Sequence, residues 1–438
     1  MNLKKLLEKS LKNQLIAGSF ILFVGTMFSN FGSYLYHLLM GRLLGPEDYG
    51  ALTSLISLTY ILSIISATLS LTVVKFVTQY KVKKDYRRIF QLFWQLTRGF
   101  FVFGIIVFGI FVLARGAIGQ FLNLSDSSPV VLVGILMFFY FLAFLNEGIL
   151  RGFLKFGFLS FSAILTTIFK ISLAVILVKL GFSLIGAFGA IIFGSVLSYL
   201  ISFYPLRFLF SNREGLVFQA DGLAKIDWRD FFSYTTPVLL ATLGLTSLYS
   251  TDVILARHFF PSLEAGLYAS LAVMGKIIFF ASSTVPAVMF PLVSEKFENG
   301  KPYRTLIMQS LWLVLGGSLV ITLVYFLFPR LMIGVLYGPS YLGAAPFLGL
   351  FAIFITLYSL NSLLVNFFLS VRRVRLSLLP LLAAVGQIVG IWFFHRSILQ
   401  VIQISLIVNA LLLFSLLIYY LQDGKEKRPS PIGCYPGR

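Results

Sequence analysis

Apolar runs of about twenty residues or more recur from one end of the chain to the other, and this leaves few folds open. A hydrocarbon core about 30 Å thick takes roughly 20 helical residues to cross, and stretches such as 157–180 and 184–210 reach that length without one acidic residue. Inside lipid no water satisfies the peptide groups, so each run must close its own hydrogen bonds as a helix. Twelve such spans can be read, at approximately 15–40, 51–76, 90–114, 130–150, 157–180, 184–210, 231–256, 265–292, 306–328, 341–371, 376–394 and 398–421. The reading is an all-α polytopic membrane protein of about 12 transmembrane helices. A length of 438 residues would suggest two or three soluble domains, but 58% hydrophobic and 12% charged residues overrule that.

The formal charge of +19 raises nucleic acid as a partner, yet the basic residues are scattered between the apolar spans instead of forming one surface. They report topology instead. Of the 35 Lys and Arg residues, 26 fall in the tails and loops on the N-terminal side of the spans and six on the other side. That asymmetry predicts cytoplasmic termini in a cell membrane. The remaining three, Arg98, Lys170 and Lys276, lie within spans. One cysteine, Cys434, excludes an intrachain disulfide and a cysteine metal cluster, and the three histidines are scattered, so neither metal nor cofactor is expected. The N-terminus resembles a signal peptide in its charge, but no small-residue cleavage site follows and it is read as uncleaved.

The organisation follows from the loops. Residues 1–14 form a basic amphipathic segment suited to an anionic leaflet, with Leu3, Leu6, Leu7 and Leu11 on one face. Residues 15–210 form a first lobe of six spans, 211–230 a charged linker, 231–421 a second lobe of six, and 422–438 a tail. A repeat supports the division: Arg42 and Pro46 after the first span recur as Arg257 and Pro261 after the seventh, 215 positions on, each followed by a glycine that opens the next helix. Six spans separate them, so the lobes are parallel repeats. Loops on the far side are too short for an extracytoplasmic catalytic domain, and no phosphate-binding P-loop is present, so no enzyme is expected.

The segment GRLLGPEDYGALTSLISLTYILSIISATLSLTVVKFVTQ, Gly41 to Gln79, resembles the opening of bacterial and archaeal polysaccharide or oligosaccharide-lipid flippases. These belong to the multidrug, oligosaccharidyl-lipid and polysaccharide exporter superfamily. The element G-R-x-L-G-x-x-x-Y-G runs from Gly41 to Gly50, and a second likeness lies at Arg151, Gly152, Phe156 and Gly157. The resemblance implies two six-helix lobes around a central cavity that opens alternately to either side. It also implies a polyprenyl-(pyro)phosphate-linked oligosaccharide as substrate, the bilayer as surroundings and the proteins of polysaccharide assembly as partners.

Candidate site residues follow from the cost of polar groups in lipid. A charged side chain at mid-membrane costs about 2.5–3.5 kcal/mol on insertion scales and therefore faces protein or a wet cavity. Lys170 shares a helical stripe with Ser162 and Thr166, and Lys276 sits mid-span in the second lobe. Two ammonium groups would attract a pyrophosphate; each could equally be held by a carbonyl or snorkel. Asn30, Ser33 and His37 in the first span, and Thr246 and Tyr249 in the seventh, offer hydrogen bonds to sugar hydroxyls, a pattern that interhelical packing also uses. Arg42, Asp252 and Arg257, near outer helix ends, are candidates for a gate. Pro286, Pro291 and Pro380 are expected to bend their helices. The competing function, a proton- or sodium-coupled multidrug or cation antiporter, needs a deep acidic group, and only Glu147 and Asp252 come near that position.

Overall fold

The structure is a computed structural model that describes residues 14–83, 85–207, 209, 228–371, 373, 376 and 378–423. The amphipathic segment up to residue 13, most of the 211–230 linker and the tail from 424 lie outside the described residues. The described residues form helices and turns with no strand among them. Two compact units are separable, Met1–Thr236 and Pro237–Arg438.

In the first unit α1 (Gln14–Val82) is too long to be one membrane crossing, and it is not one helix. Gly45 takes φ 74° and ψ 174°, a region that is essentially glycine-only, and Pro46 follows without an N–H to continue the ladder. The chain doubles back at that point. His37 and Tyr49 are twelve residues apart, which on a straight helix means about 18 Å, yet their side chains meet at 3.3 Å. The arms 14–44 and 46–82 are the first two spans. Then come α2 (Tyr86–Leu113), a short α3 (Arg115–Phe121), α4 (Ser128–Gly152) and α5 (Phe156–Leu177). A π-helical turn, Val178–Phe182, reverses the chain through Gly181 at φ 94°, and α6 (Ser183–Leu206) completes six spans.

The second unit repeats this order. It holds α7 (Trp228–Phe259) from Pro237 onward, α8 (Ser262–Glu298), α9 (Arg304–Leu327), a short α10 (Pro329–Leu336), a 3-10 turn (Pro339–Ala344), α11 (Ala345–Ser370), α12 (Leu378–Phe393) and α13 (Ile398–Asp423). A short helix therefore separates the third and fourth spans in both units, and each carries an arginine at its start, Arg115 and Arg330, again 215 positions apart. Asn146 and Asn361 share that spacing, and both are buried. Asn146 donates to Ser202 Oγ at 2.7 Å and Asn361 to the Asn409 carbonyl at 2.9 Å, so in each unit the fourth span is tied to the sixth.

Burial sorts the helices by position. Along α11, Leu348, Phe351, Phe354, Ile355, Tyr358 and Leu363 are buried on every side, the mark of a helix enclosed by its neighbours. In α9 one face, with Trp312, Leu313, Val320 and Leu323, is exposed while Val314, Ser318 and Tyr325 are buried, as expected of a helix bordered by lipid. Tight approaches use small residues. A Cβ at Gly32 of α1 would stand 2.3 Å from Thr167 of α5, and one at Gly244 of α7 would stand 2.4 Å from backbone atoms of Pro380 and Leu381. The expected bend at Pro380 is not needed: this proline lies in the first turn of α12, where a helix lacks an N–H partner in any case. Pro286 and Pro291 do lie within α8. The eleventh span is also shorter than the sequence suggests, 16 residues or about 24 Å.

Candidate functional site

Each unit encloses one of the two mid-span lysines, and the two settings differ. In the first unit the first arm of α1 lies against α5 and α6. Tyr36 donates to the Ala187 carbonyl at 2.9 Å, and Ser160 donates back to the Ile21 carbonyl at 2.8 Å. This packing brings Lys170 of α5 to Ser33, where Nζ donates to Oγ at 3.1 Å, and places the ammonium 5.2 Å from the Tyr36 ring centroid. That is within range of a cation–π attraction. Among the described residues no carboxylate lies within ion-pair distance of Lys170.

Beside this ammonium is a cavity of about 140 Å³. A void needs roughly 10–15 Å³ on the same measure to admit one water, so this one is roomy. Ser33, His37, Thr59, Tyr60, Tyr140 and Lys170 supply its polar lining, with Tyr36 beside them. His37 is fixed through its contact with Tyr49 and edge-on packing against Tyr36 at 5.6 Å. The walls are therefore rich in groups that donate hydrogen bonds and hold no carboxylate.

In the second unit Lys276 of α8 is 6% exposed, and its surroundings are closed. Tyr249, Phe279 and Tyr358 form an aromatic triangle with centroid separations of 5.7, 5.3 and 5.3 Å, and the ammonium lies 6.0 Å from the Tyr249 ring. The void beside it is about 10 Å³, space for one water at most. The buried carboxylate of Asp252 is among the groups that act on Lys276 electrostatically. The same carboxylate accepts a 2.7 Å hydrogen bond from Tyr268 and a 2.9 Å bond from the Val253 amide.

The sequence-derived candidates thus divide into groups. Lys170, Ser33 and His37 share one cavity, and Lys276, Tyr249 and Asp252 share one buried cluster. Asn30 is half-buried and outside the cavity lining. Thr166 is turned back onto the Ser162 carbonyl at 2.9 Å, and Thr246 is buried. Of the gate candidates Arg42 is exposed and Arg257 buried. Arg98 stacks on Trp94 at 5.8 Å, and Glu147 pairs with Arg151 at 3.6 Å. Thr59, Tyr60 and Tyr140 were not singled out by sequence. Thr59 and Tyr60 stand in the hydroxyl-rich run that begins at Thr53 and Ser54, and this run in an apolar span was the available signal.

Comparison with known proteins agrees with this architecture. Residues 15–297 match the family described as polysaccharide biosynthesis protein. A stretch of 146 residues is 30% identical to the uncharacterized membrane protein MJ1068 of Methanocaldococcus jannaschii, covering 32% of this chain and 28% of that protein, so the matched part is under a third of either. Among solved structures, an inward-facing multidrug resistance MATE family transporter of the MOP superfamily aligns with a TM-score of 0.69 at 16% identity, over 90% of this chain and 96% of the other. The lipid II flippase MurJ in an inward closed conformation aligns with a TM-score of 0.70 at 12% identity, over 92% of this chain and 87% of the other. At such identities the likeness is one of fold. The chain belongs to the polysaccharide biosynthesis protein family, and it is a multi-pass membrane protein with the transporter fold that MATE and MurJ share.

Proposed function

We propose that this protein flips a polyprenyl-(pyro)phosphate-linked oligosaccharide from the inner to the outer leaflet of the cell membrane by alternating access, for cell-surface polysaccharide biosynthesis. The observation that carries this reading is the Lys170 cavity: one ammonium, several hydroxyls and an imidazole at mid-membrane, with no carboxylate in ion-pair range among the described residues. Such a site attracts an anion and repels a cationic drug. Family membership supplies the sugar, and the 26-to-6 distribution of basic residues supports cytoplasmic termini. An anionic head group moving outward across an inside-negative membrane gains about 2.3 kcal/mol per charge per 100 mV, so the substrate carries its own electrical driving force. The units 15–210 and 231–421, joined by 211–230, would be the moving lobes, and polysaccharide-assembly proteins the partners. No covalent chemistry is required of the chain.

The test is reconstitution in vesicles with a fluorescent polyprenyl-diphosphate sugar, scoring how much becomes accessible to a membrane-impermeant quencher. Transport by wild type and a loss of tenfold or more in Lys170→Ala is the expected result. Proton- or sodium-driven export of cationic dyes with no movement of the lipid-linked sugar would establish the antiporter instead.

A further inference from the structure

We propose that the phosphate of the transported lipid is held by the first unit alone, at a subsite made by Lys170, Ser33, Tyr60 and Tyr140, while Lys276 is an internal counter-ion that never contacts substrate. This rests on the flippase reading and divides its site unequally.

The two voids occupy corresponding places in the repeat. Leu136 and Tyr140 of α4 line the first, and Phe351 and Ile355 of α11, each 215 positions later, line the second. At these shared positions the residues differ in shape and polarity. Leucine is replaced by the larger phenylalanine, and the tyrosine hydroxyl is lost to the smaller isoleucine. The voids themselves measure about 140 Å³ and about 10 Å³. A phosphate needs several donors around it at hydrogen-bonding distance. The first void has the space and the donors. The second is lined by Lys276, Tyr249 and Tyr358 together with Ala272, Phe279, Phe351 and Ile355, but has space only for a water.

Charge points the same way. The Asp252 carboxylate, held by Tyr268 and the Val253 amide, acts on Lys276 electrostatically. An incoming phosphate would meet that like charge and have to open an aromatic enclosure. Among the described residues, Lys170 has Ser33 and the Tyr36 ring to exchange. The lysines are also unrelated by the repeat: the position matching Lys170 is Val385, and that matching Lys276 is Ile61. Of the two mid-span lysines, Lys170 is therefore the one presented to substrate.

The test is binding to the purified full chain in nanodiscs, using a radiolabelled short-chain polyprenyl phosphate, with inorganic phosphate as competitor. Lys170→Ala should weaken binding at least tenfold and abolish competition by inorganic phosphate, with Lys170→Arg recovering part of both. Tyr60→Phe and Tyr140→Phe should each weaken binding severalfold. The paired change Asp252→Asn with Lys276→Met, which removes acid and base together, should bind within threefold of wild type, with its fold checked by size-exclusion profile and thermal melting. Equal losses in the Lys170 variant and in a folded paired variant would overturn the unequal division while leaving the flippase reading intact. Wild-type protein that binds neither polyprenyl phosphate nor inorganic phosphate would overturn the subsite, and the vesicle assay then decides separately whether flipping stands. Phosphate competition that survives Lys170→Ala overturns the assignment of Lys170.

Discussion

Replacing Asp252 with asparagine keeps the shape of the side chain and its capacity to bond Tyr268, but removes the negative charge that balances Lys276. Both groups are buried, Asp252 1% and Lys276 6% exposed, so water can compensate little. Asp252 and Lys276 are electrostatically coupled without a direct ion pair between them, so the about 3–5 kcal/mol cost of removing one partner of a buried ion pair is an upper bound, whereas replacing both with apolar or neutral groups is often near neutral. The residual hydrogen bond to Tyr268 places the expected loss for Asp252→Asn at the lower end, about 3 kcal/mol. For a unit of roughly 200 residues each kcal/mol lowers the melting temperature by about 2–4 °C, so the single variant should melt about 6–12 °C below wild type. Adding Lys276→Met should restore most of this. The resulting coupling energy, about 2 kcal/mol, exceeds what independent sites show. Thermal melting of the four proteins of the cycle in one detergent supplies the comparison. A single variant that melts with wild type, or a double variant no better than the single, would show that Asp252 does not balance Lys276, and the argument for Lys170 as the sole substrate ammonium would lose its electrostatic half.

Three further outcomes follow from the packing. Gly244→Ala should destabilise by about 1–3 kcal/mol relative to Gly386→Ala, because its Cβ would meet Pro380 and Leu381 backbone at 2.4 Å while Gly386 faces open space and both gain the same helix propensity; equal melting temperatures would refute the close approach of α7 and α12. Gly45→Ala meets no atom within 4 Å but must hold φ 74° and ψ 174°, and should cost about 1–3 kcal/mol by backbone strain alone, read as a lower melting temperature with no gain from trimming neighbours. Asn146→Leu and Asn361→Leu should each cost about 0.6–1.7 kcal/mol, the range for an interhelical hydrogen bond in lipid, and a loss in only one of them would argue that the two ties are not equivalent.

The spans were legible because apolar length is a one-dimensional property and lipid forbids alternatives. Where the residues are described, all twelve predicted crossings fall on helices, including the two pairs that run on through Gly45 and through the π turn. Turn positions were legible where glycine or proline marks them, as at Gly45 and Pro46. The surroundings of the lysines were not. A stripe such as Ser162, Thr166 and Lys170 gives a helix face but not the facing helix, and Thr166 bonds its own backbone while Ser33 and Tyr36, from a different span, meet the ammonium. Likewise Asp252 reads as an outer-end acid until α8 folds back against α7 and brings Tyr268 and Lys276 beside it.

The repeat separates what the fold requires from what the function requires. Residues that shape the backbone keep their identity across 215 positions: Arg42 and Arg257, Pro46 and Pro261, Arg115 and Arg330, Asn146 and Asn361. Residues around the two lysines do not. His37 corresponds to Asp252, and yet each meets a tyrosine of the next span, Tyr49 at 3.3 Å and Tyr268 at 2.7 Å, so the contact is retained while the charge is changed. Thr59 corresponds to Met274 and Tyr140 to Ile355, which removes those two hydroxyls from the second unit, while Ala143 corresponds to Tyr358, which adds one. If both units bound the same anion, the same physical demand for donors and space would act on both, and these positions would be expected to match as well as the turns do. They differ in charge, hydroxyl content and volume together. The two copies of one scaffold therefore differ in the way the proposed division of labour requires, with a roomier polar cavity beside Lys170 and a tighter, largely aromatic enclosure beside Lys276.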